Sequence, residues 1–224
     1  MKITCISASN IERARQNSAS THACRIIQEM VLGQPDPAAE VQIVPLLDYE
    51  LKSCRMCGKC FETGLCARDE AFNQLYRQLT SADGIFVVCP HYAPFPSKVM
   101  ILLEKLEEML YLKSCADPNY RFTLWQKPVG IIVHGGQTEE ALPYYRTALL
   151  EPLANALASV HMDVIGAGAE WPRGVAFGIQ RILPPDNSIF VTIEHNWAQI
   201  EQRLGKLVEN VVETAGKHTA GSIG

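Results

Sequence analysis

Residues 84–97 read Gly84-Ile85-Phe86-Val87-Val88-Cys89-Pro90-His91-Tyr92-Ala93-Pro94-Phe95-Pro96-Ser97. The first six are apolar without alternation and too few for a helix, the mark of a strand buried on both faces. A proline-stiffened loop follows, and from Ser97 onward apolar residues recur at helical spacing. A buried strand that passes its chain through a rigid loop to a helix is the repeating unit of a parallel sheet covered on both sides.

The same unit repeats along the chain. Strands are predicted over 2–6, 41–46, 84–89, 128–133 and 162–166, and helices over 20–32, 69–79, 97–112, 139–161 and 197–212. The fold class is therefore α/β, five parallel strands in a doubly wound sheet of order 2-1-3-4-5. In that order ligands sit outside the carboxyl ends of the first and third strands, where the connections diverge. One domain is expected over 1–214, with a cysteine-rich loop at 53–67 and insertions at 113–127 and 167–187, which read equally as lids or as packed surface segments. A frayed tail is expected over 215–224.

Composition narrows the function. The 224 residues are 47% hydrophobic and 20% charged, with a formal net charge of -4. No basic footprint for phosphate backbones is present, so nucleic acid is an unfavoured partner. No apolar run reaches the length of a spanning helix, so no membrane partner is expected and the protein reads as cytoplasmic. In a reducing compartment cysteines serve as ligands, redox groups or small core residues more often than as disulfides.

The loop after the first strand carries Ser7, Ser9, Arg13, Arg15, Asn17, Ser18 and Ser20 and runs into a helix. Hydroxyls, an amide and arginines at a helix N-terminus suit a mononucleotide phosphate, although a polar loop with a serine cap has the same composition. In the loop after the third strand, Pro90, His91, Tyr92, Ala93, Phe95 and Ser97 set two aromatic faces beside rigid backbone, which suits a flat heteroaromatic ring. His134, Gly135 and Gly136, after the fourth strand, bring bare backbone to the same edge.

Half of the eight cysteines lie at Cys54, Cys57, Cys60 and Cys66. Cys-x2-Cys-x2-Cys-x5-Cys lets a short loop wrap a four-iron four-sulfur (4Fe-4S) cluster, whereas zinc favours two short pairs held apart. Zinc, redox-active thiols and a cysteine set without a metal are the other readings. Cys5, Cys24 and Cys89 read as small core residues.

With these segments in view, the chain resembles the flavodoxin-like NAD(P)H-dependent FMN reductases, and within them the iron-sulfur flavoprotein branch. The resemblance rests on Ser7-Ala8-Ser9, Leu47-Asp48, the four cysteines, Asp69-Glu70, the run from Ala82 to Tyr92, Ser97, Glu104, Lys105, and Lys127 to Ile132. It departs where Ser9 is followed by Asn10-Ile11 with the arginines later, and where Ala93-Pro94 replaces an aromatic residue and a glycine. The resemblance implies FMN at the three loops, a 4Fe-4S cluster on the cysteines and a homodimer or tetramer in which the cysteine loop reaches a neighbour's flavin. The electron donor is expected to be NAD(P)H or ferredoxin, and the acceptor a small molecule. Such a protein splits electron pairs, and no side chain is expected to act as acid or base. A cluster-free FMN or quinone reductase is the alternative, and a zinc-stapled binding module the third reading.

Overall fold

A computed structural model describes residues 1–34, 39–183 and 191–221. The first half contains strand β1 (Lys2–Ser7), helix α1 (Ala19–Leu32), β2 (Glu40–Pro45), a one-turn α2 (Cys60–Thr63), α3 (Glu70–Ser81) and β3 (Gly84–Pro90). After it come α4 (Ser97–Ala116), β4 (Pro128–Thr138), α5 (Leu142–Tyr145), α6 (Glu151–Ser159), β5 (Asp163–Ile165), β6 (Val175–Ile179), β7 (Arg181–Ile182), β8 (Ile193–Glu194) and α7 (Trp197–Gly221).

The main sheet is wholly parallel, in the order β2-β1-β3-β4-β5. This is the expected doubly wound, flavodoxin-like arrangement, with one addition. The fifth position is filled by two strands in tandem: β5 pairs with β4 at Pro128–Gly130, and β6 pairs with it from Ile132 to Thr138. β6 lies within the segment expected to be an insertion. Its Val175-Ala176-Phe177-Gly178-Ile179 is buried throughout, which identifies it as core. Gly174 turns the chain into β6 at φ 134°, and any side chain there would run into the Ile131 carbonyl, so only glycine fits.

Two helices depart from their predicted extents for visible reasons. The span expected as one helix over 139–161 contains a π turn, Arg146–Leu150, between α5 and α6. Pro152 lies at the start of α6, where its ring disfavours the ordinary path of the preceding turn, and the Glu151 amide reaches back to the Arg146 carbonyl. α7 runs to Gly221, well past 212, because its apolar stripe continues: Leu204, Leu207, Val208, Val211 and Ala215 are all buried. Gly130, in β4, leaves room for Val211, and Ala215 packs beside Gly84 of β3.

The segment 113–127 is packed down. α4 continues to Ala116, Phe122 and Leu124 are buried, and Phe122 stacks against Tyr76 of α3. Cys5, Cys24 and Cys89 are buried, and burial pushes all three thiols up, Cys89 to about 12. They are inert apolar groups. Among the described residues no helix is long and apolar enough to cross a membrane.

Candidate functional site

The loop after β1 is organised by hydroxyl groups. Ser18, in extended conformation, caps α1 by accepting from the Thr21 amide, and its own hydroxyl donates to Thr21 Oγ1 at 3.0 Å. Ser7 Oγ lies 2.8 Å from the same Thr21 oxygen, and Ser9 Oγ accepts from the Ile11 amide. The amides of Ala19 and Ser20, at the first positions of the helix, have no intrahelical partner and point with the helix dipole toward the loop.

This loop is tied to β4. Ser20 Oγ and His134 Nε2 lie 2.8 Å apart and are buried. Burial, with His195 nearby, pushes His134 down to about 3, so its ring stays neutral at any working pH. The imidazole stacks on Phe177 of β6 at 4.8 Å between centroids. Its backbone carbonyl accepts from the His91 amide at 2.8 Å, which ties in the loop after β3 as well. Gly135 completes the corner. A Cβ there would overlap the hydroxyl and ring of Tyr145, which is buried and accepts from the Gln137 amide.

Between these loops lies a cavity of about 540 Å³, a size typical of ligand sites. Ser9, Arg13, Asn17, Ser18 and Ser20 line one side, and Pro90, His91, Tyr92, His134, Gly135 and Gly136 line another. Ser7 lines a small adjoining cleft beside Thr21 and Asp48. Ala93, Phe95 and Ser97 do not line the cavity. The Tyr92 amide donates to the Pro94 carbonyl, and this tight turn carries Phe95 back onto the core and leaves Ser97 to begin α4. The Arg15 side chain lies outside what is described. A third wall is absent from the sequence reading: His22, Ile182, Val191, Ile193, His195 and Trp197. Its available signal was the Pro-Pro-Asp-Asn composition of 184–187 flanked by isoleucines, a sequence that lies outside the described residues.

FMN is a flat ring joined to a phosphate, and the cavity offers matching chemistry at its two sides. Hydroxyls and helix N-terminal amides suit the phosphate, while Tyr92 and the bare backbone of Gly135 and Gly136 suit the ring. The residues fit FMN.

The cysteine loop forms a second place of interest. Met56, Gly58 and Gly64 all have positive φ, and the loop folds so that Cys54, Cys57, Cys60 and Cys66 line one cavity of about 460 Å³. Asn73 holds the Cys66 backbone from both sides, at 2.7 and 2.9 Å. The buried Lys105 ammonium lies 3.4 Å from Cys66 Sγ and 3.0 Å from the buried Asp69 carboxylate. Asp69 also accepts from the Lys52 and Phe72 amides and so pins both ends of the loop. Burial acts to raise the Asp69 carboxyl, but these two amides and Lys105 outweigh it and hold it below the usual range. Burial, with Glu108, Cys54 and Cys66 adding, pushes the Cys60 thiol up against an opposing backbone hydrogen bond. As donors, four thiols beside Lys52, Arg55, Arg68 and Lys105 suit an anionic thiolate-held group. As geometry, no three His, Cys, Asp or Glu side chains among the described residues are gathered as a metal ion would require.

The family described as NADPH-dependent FMN reductase matches residues 1–168. The chain belongs to that family. Membership places it among the FMN-dependent oxidoreductases, and the matched span contains all three loops and the four cysteines. An iron-sulfur flavoprotein of Methanosarcina thermophila is 29% identical over 106 residues, 47% of this chain and 52% of that protein, so the alignment spans about half the length of the curated relative. The structure of RosB with a bound 8-demethyl-8-formylriboflavin-5'-phosphate intermediate superposes with a TM-score of 0.59 at 15% identity, covering 98% of this chain and 81% of RosB. FerB, a flavoenzyme NAD(P)H:(acceptor) oxidoreductase of Paracoccus denitrificans, gives 0.53 at 12% identity, covering 97% and 98%. At these identities the likeness is one of fold.

Proposed function

We propose that the chain is an NAD(P)H-dependent oxidoreductase of the iron-sulfur flavoprotein type, with FMN in the cavity between the loops after β1 and β3 and the carboxyl-terminal part of β4. The observation that carries this reading is the convergence on one cavity of a hydroxyl-lined helix N-terminus and a glycine corner held by Tyr145. FMN accepts an electron pair as hydride and releases electrons singly, while a 4Fe-4S cluster handles one at a time. The chain's own residues do the holding. Ser18 and Ser20 order the phosphate loop, neutral His134 links that loop to the ring side, and Gly135 keeps the backbone close.

The cluster is supported by the spacing of the four cysteines, the cationic lining of their cavity and the likeness to a protein called an iron-sulfur flavoprotein. A second copy of the chain would bring the cysteine loop, with its exposed Met56 and Phe61, to a neighbour's flavin edge. Homodimer or tetramer is therefore the assembly proposed, with ferredoxin as the alternative donor and a small molecule as acceptor. A second reading, an FMN or quinone reductase without a cluster, is favoured by the ungathered thiols.

Anaerobic purification with flavin, iron, acid-labile sulfide and zinc measured per chain separates these readings. The proposal expects FMN together with iron and sulfide in equal amounts, and loss of the inorganic pair alone when Cys57 and Cys60 are changed to serine. FMN without iron makes the second reading the correct one. Zinc without flavin overturns both.

A further inference from the structure

The wall of the flavin cavity contributed from beyond residue 168 has a chemistry of its own. β7 and β8 form a two-stranded antiparallel sheet that, among the described residues, pairs with no strand of the main sheet. Side chains alternate across it. Arg181 and Glu194 are directly opposed and form an ion pair at 2.5 Å, while the next pair, Ile182 and Ile193, lines the cavity. Ile182 is 57% exposed, Ile193 38% and the neighbouring Val191 61%. Three aliphatic side chains exposed together at one cavity mouth gain free energy when a ligand covers them.

Behind them stands an aromatic group. The Trp197 indole, at the start of α7, lies 4.1 Å from the His22 ring on α1 and 4.9 Å from the His195 ring, centroid to centroid. His195 in turn meets Phe177 edge to face, and Phe177 stacks on His134. Among the described residues no carboxylate lines this cavity, and Arg13 is the cation on its wall. The hairpin side is apolar and planar-aromatic, a surface for a flat ring.

We propose that the apolar face of the β7–β8 hairpin, backed by Trp197, covers the isoalloxazine ring of FMN and holds it as a bound prosthetic group in place of a substrate that leaves once reduced. The proposal rests on the reading that FMN occupies this cavity. It assigns the hairpin the task of slowing flavin exchange, so that electrons leave while the flavin stays.

The test is the rate at which the FMN-loaded protein loses flavin to an excess of apoflavodoxin, followed by flavin fluorescence. Ile182 and Ile193 are exposed on a sheet separate from the core, so the double substitution Ile182→Ser, Ile193→Ser should leave far-UV dichroism and the unfolding midpoint of the flavin-free protein unchanged. Flavin loss should quicken about tenfold, corresponding to ~1.4 kcal/mol of lost contact, and the double leucine variant should retain the wild-type rate. Equal rates in the wild type and the serine variant overturn the hairpin proposal and leave the flavin site standing. Failure of the wild type to bind FMN overturns the site and the hairpin role together.

Discussion

Replacing Lys105 with methionine should destabilise the protein by about 3 kcal/mol, because it leaves the Asp69 carboxylate buried without its counter-ion. Both side chains are nearly inaccessible, at 4% and 1% exposure, and 3.0 Å apart. The two backbone amides that Asp69 keeps hold the loss toward the lower end of the range for such pairs. Denaturant unfolding followed by far-UV dichroism measures it. The sign of the pH dependence follows from the shifts. The Asp69 carboxyl is lowered, so its contribution is present above the ordinary carboxylate value of about 3.9 and fades as pH falls through its own lower value. Burial acts to lower Lys105, but Asp69 and Cys66 outweigh it and raise it, so its contribution holds below about 10.4 and fades as pH rises through its own higher value. The deficit of the methionine variant should therefore be full at neutral pH and shrink below about pH 4. A deficit that persists unchanged at pH 3 would show that Lys105 acts through packing alone.

Gly135→Ala should weaken FMN binding about a hundredfold, ~2.7 kcal/mol. The added methyl group would overlap the hydroxyl and ring of Tyr145, which is 1% exposed and has nowhere to move. The corner from His134 to Gln137 must give way instead, and it is a wall of the flavin cavity. Gly136→Ala is the control. Its Cβ meets nothing within 4 Å, so that protein should fold as the wild type does. Fluorescence titration of flavin-free protein with FMN reads the affinity. Wild-type affinity in the Gly135→Ala variant would mean that this corner does not touch the ring.

How much of this was legible in sequence differs by element. Unalternating apolar runs such as 84–89 announce strands buried on both faces, and their order along the chain is enough for the parallel sheet. β6 was hidden because its short run, Val175-Ala176-Phe177-Gly178-Ile179, broken by a glycine, sits among tryptophan and prolines that read as loop. The end of α7 was hidden because Ala215 and Gly216 look like a tail. Ala215 is buried because it packs against β3 near Gly84, a contact no local pattern records.

The site shows the same division. Hydroxyls before a helix and paired glycines at the end of an apolar run are local signals, so Ser9, Ser18, Ser20, Gly135 and Gly136, which line one cavity, stood out in sequence. The role of Phe95 could not, because its direction depends on the tight turn from Tyr92 to Pro94. His22, Ile193, His195 and Trp197 come together from elements far apart in the chain, and their number and type are unremarkable in sequence. Cysteine spacing was legible, whereas the buried Lys105 and Asp69 that anchor the loop are ordinary charged residues until the fold places them.

The central claim is that FMN occupies the cavity at the carboxyl edge of β1, β3 and β4. A crystal structure of the protein grown with FMN tests it most directly. The account predicts the phosphate among Ser9, Ser18 and Ser20 at the start of α1 and the ring beside Tyr92, Gly135 and Gly136. Flavin density at another place on the molecule, or none at saturating FMN, would contradict it.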